Sequence, residues 1–284
     1  MIPVFASISQ NSFAYDIGRF QFTGFGIAVL MAFVIAQIIS QRELWRRGHD
    51  PEPISDLIFA AVIGGLVGAK VYYAVLMGDV GALFTRAGFV FWGGLMGGIF
   101  AVLFVAHRKH LNLLRIADVG GIAVAAAYSI GRTGCWAVGD DYGRPWNSAL
   151  AVAFPNGAPP STVENMSRMF HVHFPAGLPA LEVISVYPTQ LFEVVLGFIM
   201  FLILWRIRDH VHAEGWLFGA YCVLAGVERF IIEFFRAKDD RYFGPFTSAQ
   251  MVAVLFVLAG VAIMYLRRNV SERASGIHSR PQTA

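Results

Sequence analysis

Seven apolar runs alternate with polar segments along the chain. They lie at about 20–40, 54–76, 88–107, 113–131, 188–206, 214–235 and 247–266. Each run is close to the ~20 residues that an α-helix needs to cross the hydrocarbon core of a bilayer. The pattern therefore predicts an all-α, polytopic membrane protein with seven transmembrane helices.

The longest stretch without an apolar run separates the fourth and fifth runs. It covers 132–186 and is rich in Pro, Asn, Ser and His. Because it is too long for a simple connection, we expect a small external cap there. The other segments follow: a lead-in over 1–19, four spans within 20–131, three spans within 187–268 and a tail over 269–284.

Arginine and lysine are concentrated after the first, third, fifth and seventh runs. Cytoplasmic segments of membrane proteins carry such an excess. The bias predicts an external N-terminus and a cytoplasmic C-terminus, which an odd number of spans also requires. The 132–186 segment is then expected outside the membrane.

Composition agrees with a membrane protein and argues against other classes. Hydrophobic residues make up 56% and charged residues 14% of the 284 residues, whereas charged residues are about 25% of ordinary soluble domains. The net charge of +3 comes from basic residues beside apolar runs, so no nucleic-acid partner is expected. Two cysteines make no disulfide framework.

Charged and glycine residues gather where the fourth run meets the expected cap. The stretch 128–146 contains Arg132, Asp140, Asp141 and Arg144, with glycines at 131, 134, 139 and 143. An arginine at the edge of the hydrocarbon layer is costly, and its planar fork suits a phosphate diester. Two interpretations stay open. Either Arg132 binds a phosphate, or it reaches a lipid headgroup or pairs with Asp140 for structural reasons.

Charged residues also occur within the sixth run. Arg229, Glu233 and Arg236 are spaced i, i+4 and i+7, which places them on one face of a helix. Charges inside a span face protein or a water-filled cavity rather than lipid. The pattern favours a site where Arg229 meets an anionic headgroup and Glu233 holds it, with a structural ion-pair ladder as the alternative.

Polar residues open the fifth run, in the segment Tyr187–Glu193. Gln190 and Glu193 are three residues apart and share a helical face. Capping and the helix dipole explain a glutamate in a first turn. They do not explain a carboxylate expected below the level of the headgroups.

The third run contains Phe91–Leu95, in which Trp92 precedes two glycines. Small residues of this kind favour close helix packing. His171 and His173 lack a third ligand, so no metal is expected. No phosphate-binding loop and no Ser-His-Asp order is present, and no cofactor is expected.

With these motifs in view, the chain resembles the prolipoprotein diacylglyceryl transferase family over about residues 18–268. The family signature Gly-Arg-x-Gly-Asn-Phe-x-Asn-x-Glu, followed by Gly-Arg, is similar to residues 131–140 and 143–144. Its His-Pro-Thr-Gln-Leu-Tyr-Glu element is similar to 187–193, its arginine-rich sixth span to 229–236, and its first-span Tyr-Gly to Phe25-Gly26.

This chain departs from the family pattern at several positions, and two of them, Tyr187 and Phe192, lie in the 187–193 element. Trp92 stands where the family has histidine, Cys135 and Val138 replace the signature asparagines, and Asp140 replaces the signature glutamate. The residues expected on the phosphate side, Arg132 among them, are retained.

The resemblance implies a multi-pass enzyme of the bacterial plasma membrane. It would transfer the diacylglyceryl group of phosphatidylglycerol to the lipobox cysteine of preprolipoproteins. Its partners would be phosphatidylglycerol, preprolipoprotein signal peptides and membrane lipids. The alternative is a non-catalytic paralogue that binds phospholipid or lipoprotein. A transporter or channel is less favoured, because no internal repeat is visible.

The resemblance also implies roles for individual residues. Catalytic residues would be Arg132, Arg229, Glu233 and Asp140. Substrate-binding residues would be Arg132, Arg229, Arg236, Phe25, Trp92, Gly143, Gln190 and Glu193. The proton acceptor stays open among Glu233, Asp140 and Asp141.

Overall fold

The structure is a computed structural model that describes residues 8–17, 20–85, 88–237 and 246–269. Within these ranges the chain forms eight α-helices and five short strands. The helices are α1 Gly24–Arg46, α2 Pro53–Met77, α3 Phe91–Arg108, α4 Leu113–Val138, α5 Val163–Phe170, α6 Thr189–Ile207, α7 Trp216–Ile232 and α8 Ser248–Leu266. The strands are β1 Ile8–Ser9, β2 Ala14–Ile17, β3 Phe20–Thr23, β4 Val152–Ala153 and β5 Ser185–Val186.

Every predicted apolar run coincides with a helix. Six of these helices, α1, α2, α3, α4, α6 and α8, are long and apolar enough to cross a membrane. The remaining one, α7, has 17 residues. The structure therefore confirms a polytopic helical membrane protein, and the short strands are an addition to the all-α prediction.

Residues 36–120 form one compact unit. Its helices α2 and α3 pack closely because glycines face each other: a Cβ on Gly68 would lie 2.3 Å from the Gly93 carbonyl oxygen. This contact agrees with the packing role expected for the glycines of Phe91–Leu95. A core that includes Leu44, Leu57 and Ala106 lies at one end of the unit.

Residues 1–35 and 121–284 form the other unit, as far as they are described. Here α7 and α8 approach through Gly219 and Gly260, where an added Cβ on Gly260 would lie 2.6 Å from the Gly219 carbonyl oxygen. The hairpin of β2 and β3 leads into α1.

The segment between α4 and α6 is a small folded region of this second unit. Strand β4 pairs in parallel with β1 and antiparallel with β5. Beneath them lies a core that includes Tyr142, Phe154, Met166 and Val186, each at most 2% exposed. The Thr162 side chain caps α5 by accepting a hydrogen bond from the Asn165 backbone. The loop that follows α4 therefore packs against this hydrophobic core through Tyr142.

Candidate functional site

Helix α4 continues past the predicted end of the fourth run, to Val138. Arg132 therefore lies inside the helix, with Cys135 one turn further on. The helix closes where the backbone N–H groups of Gly139 and Asp140 both donate to the Cys135 carbonyl. Gly139 has φ 68°, the left-handed conformation that glycine adopts readily at helix ends. The chain then turns into the loop that carries the two aspartates.

This loop is fixed to the first turn of α6. The Gln190 side-chain amide donates to the Asp140 carbonyl at 2.5 Å, and the Thr189 hydroxyl donates to the Asp141 carbonyl at 2.8 Å. Both side chains are fully buried. The predicted grouping of Gln190 with Glu193 on one helix therefore has a clear function, because Gln190 positions the loop.

Gly143 lies where the loop passes between α6 and the end of α7. Its N–H donates to the Tyr187 carbonyl at 2.9 Å. A Cβ at this position would lie 2.5 Å from the Phe235 carbonyl oxygen and 2.6 Å from the Tyr187 Cβ. The close approach therefore requires glycine.

Arg132 binds three groups with one guanidinium. Its Nη2 donates to Glu193, and its Nη1 donates to Asp141 at 3.0 Å and contacts the Cys135 sulfur at 3.3 Å. Its Nε is buried and has no hydrogen-bond partner among the described residues. One alternative from the sequence paired Arg132 with Asp140, but the structure pairs Arg132 with Asp141 and Glu193.

Two further arginines approach the same carboxylates. Arg236 Nη2 donates to Asp141 at 2.8 Å, and Arg229 Nη2 donates to Glu233 at 2.7 Å. Glu193 lies 3.8 Å from Arg229 and 3.9 Å from Arg236, and its side chain is 1% exposed. Glu193 is thus a buried anion within 4 Å of three guanidinium groups, those of Arg132, Arg229 and Arg236.

The helical face predicted for the sixth run holds only in part. Helix α7 ends at Ile232, where Glu233 caps it, and Arg236 follows the next turn and forms a β-bridge with Gly143. Arg229 and Glu233 form the expected i, i+4 ion pair. Arg236 instead reaches the cluster from outside the helix, because Arg144 N–H donates to Phe235 and the Arg144 Nε donates to the Arg236 carbonyl.

Tyr128 and Glu228 belong to the cluster and were not predicted as site residues. The Tyr128 hydroxyl lies 3.2 Å from a Glu193 oxygen and 3.0 Å from a Glu228 oxygen. A single hydroxyl hydrogen can serve only one of the two carboxylates fully at a time. An acid inside an apolar run, as at Glu228, was the available sequence signal.

Asp140 and Asp141 lie outside the helices and have opposite electrostatic environments. Burial raises the pKa of Asp140 to about 6, with a further contribution from the charge of Asp141. Burial alone would also raise the pKa of Asp141, but the charges of Arg236 and Arg132 outweigh it and lower that pKa to about 2. Asp140 also makes a side-chain hydrogen bond with Cys135.

Two more predicted binding residues, Phe25 and Trp92, lie at the starts of helices α1 and α3. Phe25 is in the first turn of α1, where its Cα would lie 3.0 Å from a Cβ added to Gly134. Trp92 is in the first turn of α3, in the 36–120 unit, and is 55% exposed. Its ring packs edge-on against Phe91 with centroids 5.7 Å apart.

The fold and the cluster define a class: a multi-pass membrane protein that encloses arginines and carboxylates among its helix ends. Such charges are costly in a membrane, so their presence here marks a candidate site. A model of the family described as prolipoprotein diacylglyceryl transferase matches residues 12–266. The chain belongs to this family.

Curated relatives cover nearly the whole chain. A phosphatidylglycerol–prolipoprotein diacylglyceryl transferase from Clostridium tetani is 25% identical over 86% of this chain and 93% of its own length. Those from Geobacter sulfurreducens and Xanthomonas oryzae pv. oryzae are each 28% identical over 90% of this chain, and over 95% and 90% of their own lengths.

Proposed function

We propose that this protein transfers the diacylglyceryl group of phosphatidylglycerol to the lipobox cysteine thiol of a preprolipoprotein. The thiol sulfur forms a bond to the glycerol carbon, and the bond between that carbon and the phosphate oxygen breaks. Glycerol phosphate leaves, and the product is a thioether. The observation that carries this proposal is the convergence of Arg132, Arg229 and Arg236 on one buried point, Glu193.

The arginines would offset the charge that develops on the leaving phosphate. Preorganised donors of this kind commonly supply the largest catalytic contribution. Arg229 is the most accessible of the three, with 33% of its side chain exposed against 12% for Arg132 and 11% for Arg236. We assign Arg229 the first contact with the headgroup and the other two the deeper contacts.

The thiol proton needs an acceptor, and we assign this role to Asp140. Its pKa of about 6 leaves it ionised yet basic near neutral pH. Glu233 is tied to Arg229 at 2.7 Å, and Asp141 to two arginines at 3.0 and 2.8 Å. Those two carboxylates are therefore already engaged by guanidinium groups.

The arrangement in the membrane also belongs to this proposal. We assign α7 as the seventh span, an external N-terminus, a cytoplasmic C-terminus and an external cap between α4 and α6. The arginine-rich segments after the first, third, fifth and seventh runs support this orientation. The bacterial plasma membrane is the corresponding location, and exported preprolipoproteins would meet the cluster from outside.

The test is a transfer assay with purified protein, phosphatidylglycerol and a lipobox peptide, read by mass spectrometry. We expect the peptide to gain the mass of one diacylglyceryl group. Arg132→Ala should lower the rate about 10²- to 10³-fold, as removal of one transition-state donor does. Arg268→Ala is the matched control, because this exposed guanidinium stacks on Tyr265 away from the cluster.

A folded wild type that binds phosphatidylglycerol but leaves the peptide unmodified would contradict the transfer reaction. That result would favour the non-catalytic paralogue. An unchanged rate in Arg132→Ala would instead leave the reaction in place and assign the arginine a structural role.

A further inference from the structure

Asp141 lies between two arginines like an anionic ligand. One carboxylate oxygen accepts from Arg132 at 3.0 Å, and the other accepts from Arg236 at 2.8 Å. Its side chain is 42% exposed, whereas those of Glu193 and Glu233 are 1% and 2% exposed. Asp141 is therefore the carboxylate that an anion entering from solvent meets before these two glutamates.

The chemistry of a phosphodiester matches what Asp141 offers to the two arginines. Each group carries one negative charge and presents two oxygens on the same side. Guanidinium forks bind either group through charge-assisted hydrogen bonds. An exchange of one for the other leaves the charge around Arg132 and Arg236 unchanged, so neither arginine is left unpaired in a buried setting.

The backbone around Asp141 allows its side chain to leave while the loop stays in place. Its carbonyl is held by the Thr189 hydroxyl at 2.8 Å, and the side chain is held by the two arginines. The residue has φ 55°, a left-handed conformation. Rotation of the side chain toward solvent would therefore not require α4 or α6 to move.

We propose that Asp141 occupies the phosphate position in the lipid-free protein and is displaced when the phosphate of phosphatidylglycerol binds to Arg132 and Arg236. Asp141 is then a residue that sets affinity, because it competes for the two arginines with substrate and with the departing glycerol phosphate. This inference rests on the proposed function, because it assigns the occupant of the same cluster.

The alternative role for Asp141 is to orient the arginines without competing for their ligand. The two roles predict opposite signs. Removing a competitor raises affinity for phosphate, whereas removing an orienting group lowers it.

The experiment compares wild type with Asp141→Asn and Asp141→Gly, because asparagine and glycine both adopt the left-handed backbone conformation. Dissociation constants are measured in detergent for phosphatidylglycerol and for free glycerol phosphate. Asp209→Asn is the matched control, since Asp209 lies 3.9 Å from Arg208, outside the cluster. Thermal unfolding of each variant shows that it is folded.

We expect both Asp141 variants to bind phosphatidylglycerol about tenfold more tightly, as loss of one competing charge-assisted contact allows. The KM for phosphatidylglycerol should fall by a similar factor, and Asp209→Asn should match wild type. Unchanged or weaker binding in both folded variants would overturn the proposal. If the variants bind only free glycerol phosphate more tightly, the claim that the phosphate of phosphatidylglycerol displaces Asp141 would be overturned.

Failure of this inference is separable from failure of the transfer reaction. If wild type binds phosphatidylglycerol but transfers nothing, the dissociation constants still decide whether Asp141 competes. If transfer occurs and the Asp141 variants bind no more tightly, only the competition is lost.

Discussion

Asp140 and Asp141 are adjacent in the chain, but the pKa values of their carboxyl groups are shifted in opposite directions. The pKa of Asp140 is raised from 3.8 to about 6, and that of Asp141 is lowered from 3.8 to about 2. The contribution of Asp140 to stability is therefore full below pH 3.8 and lost as pH rises through about 6. The contribution of Asp141 is present above pH 3.8 and lost as pH falls through about 2.

The transfer rate should rise with pH through a midpoint near 6 if Asp140 accepts the thiol proton. Below this pH the carboxylate is protonated and cannot act as a base. Between about pH 5 and 7.5 this rise should level off above pH 6, whereas free thiolate keeps increasing toward the ordinary thiol pKa of ~8.5. Asp140→Asn should be slow and lack the midpoint near 6, while Asp209→Asn should keep it. An identical rise in Asp140→Asn would assign the proton to another group.

Single charges in apolar runs were predictable, and their partners were not. Arg132, Arg229 and Glu193 stand out because charge inside a span is costly. Arg236 and Asp141 are 95 residues apart, and Tyr128 and Glu193 are 65 apart. No local pattern brings such residues together, since tertiary packing alone decides which faces meet.

Helices were predictable from hydropathy, but their ends followed different rules. The fourth run was expected to end at 131 because Arg132 interrupts it. Helix α4 instead continues to Val138. Glu193 and Asp141 form ion pairs with Arg132, so its charge can be accommodated inside the helix. The sixth run behaves in the opposite way, because α7 ends at Ile232 and its last charged residue lies beyond the helix.

Two glycines of α4 give a matched test of how this helix packs. A Cβ on Gly134 would lie 2.8 Å from the Ala28 Cβ and 3.0 Å from the Phe25 Cα, whereas one on Gly131 would meet nothing within 4 Å. Gly134→Ala should therefore push α4 from α1 and lower thermal stability, by an amount typical of overpacking, ~1–3 kcal/mol.

Gly131→Ala should be neutral or stabilising by up to ~1 kcal/mol, because alanine is the better helix former. Thermal unfolding in detergent measures both variants. Equal melting temperatures for the two would show that α1 does not constrain α4 at Gly134.

At the scale of the molecule, the existence of the 132–186 region was predictable and its construction was not. Its sheet joins β1 near the N-terminus to β4 and β5. Strands of two residues each are too short to leave an alternation in the sequence. The two units of the chain were also not predicted, because apolar runs show no boundary between them.

The proposed orientation predicts which exposed positions a membrane-impermeant thiol reagent can reach in intact cells. Ser167→Cys, in α5, should be labelled without disruption of the membrane. His110→Cys, after α3, should be labelled only after disruption. Both positions are exposed, and the native Cys135 and Cys222 are buried, so background should be low. The reverse pattern would invert the assigned topology.

Substitution of Trp92 shows whether the chain needs a histidine at this position to act as an enzyme in a cell. It stands where the family pattern has histidine, and its indole can donate a hydrogen bond but cannot accept a proton at neutral pH. If Asp140 takes the thiol proton and the arginines supply most of the catalysis, histidine is not required here. The wild-type chain should then rescue a bacterium depleted of its own diacylglyceryl transferase, and Trp92→His should add little.

Asp140→Asn should fail to rescue, because a general base contributes about 10²- to 10⁴-fold to rate. Trp45→His is the matched control, since Trp45 is 75% exposed in α1. Growth, membrane abundance of each variant and the lipid mass on a reporter lipoprotein are the measurements. Rescue by Trp92→His and not by wild type would show that transfer needs histidine at this position and that Asp140 alone does not suffice as the base. If wild type and Trp92→His both fail at normal abundance, the chain does not transfer lipid in the cell. The arginine cluster would then support the alternative, a non-catalytic paralogue that binds lipid.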